Sequence, residues 1–154
     1  MTIEPFIHRH GLWSDTQIFR AAEVMRQADA EELHLIRLAW AKAVTPAAFR
    51  DAMSNGYNIN VATSTLDGAG GRVFSSFVRG GGMDLDEMTG SPNLVIVPDP
   101  ATFRVLPWAP GVGWILCDEY FRDGTPFHFS SRHLLRKQLA RLADKGLRQI
   151  VGLE

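Results

Sequence analysis

The chain has 154 residues, 45% hydrophobic and 21% charged, with 16 basic against 17 acidic side chains for a formal charge of −1. That size and balance fit one compact unit with a real core, and they leave no basic excess to favour nucleic acid or an anionic membrane as partner. Cys117 is the single cysteine, which excludes an internal disulfide framework and fits the cytoplasm; no apolar run of about 18 residues and no secretory layout at the N-terminus point to a membrane.

Taken in order, Ser14 with Gln17 forms a capping-box pattern, and Ile18, Ala21, Ala22 and Met25 then recur on one face, predicting a helix from about Asp15 to Gln27. Leu33 to Trp40 carries apolar residues on both alternating faces, as a central strand covered on two sides would. Thr45 before Pro46 caps a second helix with the apolar stripe Phe49, Ala52 and Met53, closed by Gly56. Between strand and helix only Ala41 to Val44 remain, too few for a turn and a return strand, so the spacing predicts that a loop is absent there. Asn58 to Leu66 alternates as an exposed or site-lining edge strand. Clustered glycines at 68–71 and 80–82 and the acidic Asp84, Asp86 and Glu87 then predict a flexible loop of functional type.

The chain is organised around Pro98 to Trp108, which lies between the apolar strands Leu94–Val97 and Val112–Cys117. Pro98 fixes φ, Asp99 is suited to accept backbone N–H groups, and Thr102 to Leu106 alternates like a half-buried strand that Pro107 ends. Asp123-Gly124 between two apolar segments reads as a hairpin turn. A last helix, capped by Ser130 or Ser131, sets Leu135, Leu139, Leu142 and Ala143 on its apolar face and Arg136, Lys137 and Arg141 on its wet face. Ile150 to Leu153 opens another strand that Glu154 ends without cap or tail, predicting a polypeptide cut inside an element. Five or six strands with about three helices and no βαβ alternation give an α+β fold built on a mixed sheet.

No self-sufficient active site emerges from side-chain chemistry alone. The glycine clusters lack the lysine and helix start of a phosphate loop, and the acidic loop lacks calcium-loop spacing. His8, His10, His34, His128 and His133 have no cysteine or carboxylate at metal-site spacing, Cys117 reads as a core residue, and Trp108 and Trp114 read as core anchors.

Pro98 to Trp108, read as Pro-Asp-x-x-Thr-x-Arg-x-x-Pro-Trp, resembles a segment of the glutamine synthetase family's N-terminal β-grasp domain. The following strand ending in Cys117-Asp118, the Asp123-Gly124-Thr125-Pro126 turn and the Arg132-led helix are similar to that family too. So is Val151-Gly152-Leu153-Glu154, which resembles the opening of its Gly-x-Glu-x-Glu strand. The resemblance implies a β-grasp-like domain over 1–147 and, over 148–154, the first strand of a C-terminal catalytic domain. It also implies an ATP-dependent ligase, using Mg²⁺ or Mn²⁺, that joins ammonia or an amine to the γ-carboxylate of glutamate. Glu154 would match the first metal-binding glutamate of the full-length enzyme.

The same resemblance implies a homo-oligomeric ring in which this domain forms the rim of a neighbouring subunit's active site and is inactive alone, without cofactor of its own. Counted from Gly56, Asn60 stands where ammonium-using members place a proton-accepting aspartate, and Thr63 replaces a serine of the same segment. An amide is no general base, so the chain looks closer to members that ligate larger amines, the γ-glutamylpolyamine synthetase type. The altered positions leave a second expectation, a non-catalytic β-grasp binding or assembly module. Arg104 is the one residue of the organising stretch expected to make a functional contact.

Overall fold

The structure, a computed structural model, describes residues 4–152. Its described residues form four helices and seven strands in two sheets, so the expected α+β class holds while the expected single mixed sheet is divided. Helix α1 (Phe6–Arg9) is one turn, and α2 (Asp15–Ala30) begins at the Ser14–Gln17 capping box, which is fully formed. Ala21, Val24 and Ala28 are its buried residues, so the inward stripe is rotated from the expected one and Ile18 is half exposed.

Strands β1 (Leu35–Leu38) and β2 (Lys42–Val44) pair antiparallel, Leu38 opposite Lys42. Ala39 to Ala41 close this hairpin in three residues, so the stretch is long enough for a turn and a return strand, contrary to the expectation that it is too short for them. The turn is possible because Ala39 takes φ 48, a left-handed conformation for which glycine or asparagine is the usual signal. β1 is interior to its sheet, as expected, but Arg37 is exposed and only Ile36 and Leu38 are buried. Helix α3 (Pro46–Asn55) has the expected Thr45 cap, which accepts from the Ala48 N–H, and the expected buried Phe49, Ala52 and Met53.

β3 (Tyr57–Asn60) is an edge strand that stops at Asn60, not Leu66. Residues 61–92 hold three short 3₁₀ turns and no named strand. β4 (Asn93–Pro98) is the strand covered on both faces: Leu94 and Ile96 enter the main core, Val95 and Val97 a smaller one with Phe6, Ile7 and Tyr120. Each such burial is worth about 1.5–3 kcal/mol, so β4 ties the two cores together.

After β4, Asp99 accepts the Ala101 N–H and starts a 3₁₀ turn over Pro100–Thr102, leaving only β5 (Arg104–Val105) of the expected longer strand. The Val112–Cys117 run is two strands. β6 (Val112–Ile115) joins β1 in parallel and β5 antiparallel, whereas β7 (Cys117–Tyr120) pairs with β4 in the other sheet. At the crossing residue, the Leu116 carbonyl accepts from the Asp99 N–H at 2.8 Å and its N–H donates to Thr102 Oγ1 at 2.9 Å. The organising turn thus satisfies both backbone groups where the chain belongs to neither sheet. Trp108 is 77% exposed, so it is no core anchor.

The Asp123-Gly124 turn forms, with the Phe121 N–H donating to the Thr125 carbonyl, but its return arm makes only an isolated bridge from Pro126 to Tyr120. Helix α4 (Ser131–Ala143) buries no residue, and Leu134, Leu135 and Leu139 are exposed. Residues 147–152 have no regular structure, so the strand expected from Ile150 is not formed there; Leu153 and Glu154 lie outside the described residues.

Candidate functional site

Three segments meet at one shallow cleft of about 300 Å³, lined by Trp40, Thr63, Ser64, Leu66, Glu119, Phe129 and Ser131. The β1–β2 turn supplies Trp40, the stretch after β3 supplies Thr63, Ser64 and Leu66, and β7, the segment leading into α4 and the first residue of α4 supply Glu119, Phe129 and Ser131. Ser64 Oγ donates to Glu119 Oε1 at 2.7 Å and so ties the long loop to the sheet.

Thr63 therefore lines this cleft, whereas Asn60 acts beside it as a brace. Asn60 Oδ1 accepts from the Ala62 N–H at 2.9 Å and from Ser91 Oγ at 3.0 Å, while its Nδ2 donates to the Ser91 carbonyl at 3.4 Å. Thr63 Oγ1 donates to the Asn60 carbonyl at 2.6 Å. One side chain thereby joins the two ends of the 61–92 loop. The donation to Ser91 needs an amide, because an ionised carboxylate only accepts. Arg104 donates to its neighbour's carbonyl on Phe103 at 2.6 Å and does not reach this cleft. Glu154 lies outside the described residues.

A polar constellation unseen in the sequence sits behind the cleft. Asp99 and Asp118, both buried, share Arg132 and Arg136 from α4: Arg132 Nε donates to Asp118 Oδ1 at 2.7 Å and Arg136 Nη2 to Asp99 Oδ2 at 2.8 Å. The second nitrogen of each fork reaches the other carboxylate. Arg136 thus points inward, not to the expected wet face. The signal that could have revealed it is the i,i+4 spacing of the two arginines, which sets both on one helix face. Both carboxylates are consumed by arginines, so the cluster is a clasp for α4, not a proton relay.

Burial first, and the Asp118 carboxylate second, push the Cys117 thiol up; the same two causes raise the Tyr120 hydroxyl to about 12. A thiol held protonated is a poor nucleophile. Cys117 is expected to react with a disulfide probe at pH 8 far more slowly than free cysteine, and at the free rate in urea; fast reaction of the folded protein would refute this. Among the described residues no group of three or more His, Cys, Asp or Glu side chains could hold a metal ion, so the described residues do not fit one. No described helix is long and apolar enough to cross a membrane.

No family model matches the chain. Gamma-glutamylanilide synthase of Acinetobacter sp is 37% identical over 160 residues, spanning 97% of this chain and 32% of that protein. Glutamine synthetase of Mycolicibacterium smegmatis is 32% identical over 133 residues, spanning 80% of this chain and 26% of that protein. The solved GmaS/ADP complex superposes with a TM-score of 0.57 at 27% identity, covering 79% of this chain and 26% of that one. The chain spans about a third or less of the length of these relatives. Motifs, two-sheet fold and sequence identity agree, and the chain belongs to the glutamine synthetase family as its β-grasp-like N-terminal domain.

Proposed function

We propose that this chain is the N-terminal domain of an ATP-dependent ligase that joins ammonia or an amine to the γ-carboxylate of glutamate, forming the inter-subunit rim of a ring enzyme's active site. The observation that carries the reading is the 37% identity to gamma-glutamylanilide synthase across 97% of the chain. The name of that relative describes a γ-glutamyl amide of an aromatic amine, and the GmaS neighbour was solved with ADP, which supports a nucleotide-dependent activation. Mg²⁺ or Mn²⁺ would neutralise phosphoryl charge when bound. Its ligands would lie beyond the described residues, Glu154 being the first.

Asn60 supports the larger-amine branch of this reading. With its amide spent on Ser91 and Ala62, it holds the loop and takes no proton. Thr63, one turn on, remains at the cleft.

The test is ADP release by the full-length protein with glutamate, Mg²⁺ and a panel of ammonium, aniline and polyamines, beside the 154-residue chain alone. Turnover by the longer protein with at least one amine, and none by this chain, is expected. Metal-dependent turnover by this chain alone would overturn the division of labour. No turnover by the longer protein with any amine would leave the non-catalytic assembly module as the reading.

A further inference from the structure

The cleft between the β1–β2 turn and β7 has a composition that the loop brace and the arginine clasp do not explain. Trp40 is 55% exposed, Leu66 50% and Phe129 38%, three large apolar side chains at one opening. Phe129 is held from behind, edge-on to Phe77 with ring centroids 5.2 Å apart and to Phe127 at 5.6 Å, so it is a fixed wall. Among the lining residues the one ionisable group is Glu119. Ser64 occupies its Oε1, which leaves the other carboxylate oxygen without a hydrogen bond from the described residues.

Resting on the ligase reading above, we infer that this cleft is a specificity subsite for the amine, in which Trp40 and Phe129 pack an aromatic substituent and Glu119 accepts an N–H of the primary amine. Anions are disfavoured, because the cleft offers a carboxylate and no cation. Aliphatic polyamines gain less, because their second charge finds no partner among the lining residues and their chains offer no ring face to Trp40 and Phe129. A cationic benzylic amine gains twice, from the carboxylate and from the aromatic faces. A neutral aryl amine keeps the N–H bond and the ring contact. The size of the cleft, about 300 Å³, suits a single ring.

The deciding experiment titrates benzylamine, with benzyl alcohol and benzoate as neutral and anionic counterparts, into the full-length protein in the absence of ATP, following tryptophan fluorescence. Saturable binding of benzylamine is expected, with at least tenfold weaker binding of the other two. Glu119→Gln, which keeps the acceptor for Ser64, and Trp40→Ala should each weaken benzylamine at least tenfold, and in turnover raise the KM for an aromatic amine while the KM for glutamate stays within twofold. Equal binding of benzylamine and benzyl alcohol, or variants that bind like the parent, would overturn the subsite. Turnover with unmoved amine KM in both variants would sink the subsite and leave the ligase reading intact. Selective binding without any turnover would do the reverse.

Discussion

Arg132→Ala is expected to destabilise the fold by about 3–5 kcal/mol, the range for removing one partner of a buried ion pair. Arg132 is the member to remove because its side chain is 25% exposed and reaches both carboxylates, which are themselves only 7% and 6% exposed. Without it, Asp99 and Asp118 remain buried beside each other with one arginine between them. Arg136→Ala should cost less, since that side chain is 43% exposed and water can take its place. Arg132→Lys should not restore the loss, because an ammonium lacks the planar fork that bridges two acceptors. Urea titrations of the three variants give the order directly. A loss below about 1 kcal/mol for Arg132→Ala, the ordinary range of a surface pair, would show that the clasp is not what holds α4.

The second large effect lies at Gly56. There α3 ends with φ 69 and ψ −177, a region that side chains rarely enter, and an added Cβ would stand 2.3 Å from Val95 Cγ1 and 3.1 Å from the Ile96 carbonyl oxygen. Backbone strain of about 1–3 kcal/mol and overpacking of about 1–3 kcal/mol together place Gly56→Ala at about 2–6 kcal/mol. Val95 is 4% exposed within the smaller core, so its rotation away from the new methyl group meets packed neighbours. Gly11→Ala is the control: it has φ 58 but nothing within 4 Å, and should cost only about 1–2 kcal/mol for the left-handed backbone. Equal losses at both sites in thermal unfolding would mean that Val95 gives way to the added methyl group and the α3–β4 approach is not tight.

Where a local signal decides the structure, it was readable. Ser14 with Gln17, Thr45 with Pro46, and the apolar run Leu94–Val97 each form the element their pattern predicts. The hairpin at Ala39 was hidden because an alanine takes a conformation that glycine ordinarily marks. The division of Val112–Cys117 was hidden for another reason: the apolar run is continuous, and only the partners on either side of Leu116, Ile115 with β1 and Cys117 with β4, reveal that it serves two sheets. The clasp joins residues 14 to 37 positions apart, so spacing sets Arg132 and Arg136 on one helix face but does not single out Asp99 and Asp118 as their partners. Of the site, Thr63 was legible through family resemblance; Glu119 was not, because its strand neighbours Asp118 and Tyr120 point to the opposite face and are the ones buried.

The parallel pairing of β1 with β6 also sets an order of events during synthesis. Leu35 meets Val112, 77 positions later. Until then β1 and β2 make a two-stranded ribbon, which is marginal in water by itself. A nascent chain stalled before residue 112 should therefore leave Ile36 and Leu38 open to chaperones and proteases. Contacts this distant also slow refolding relative to helical domains of equal size. The first sheet is completed by a strand made late, and the segment that finishes it passes straight into the second, so the strand that closes the second sheet begins five residues after the one that closes the first.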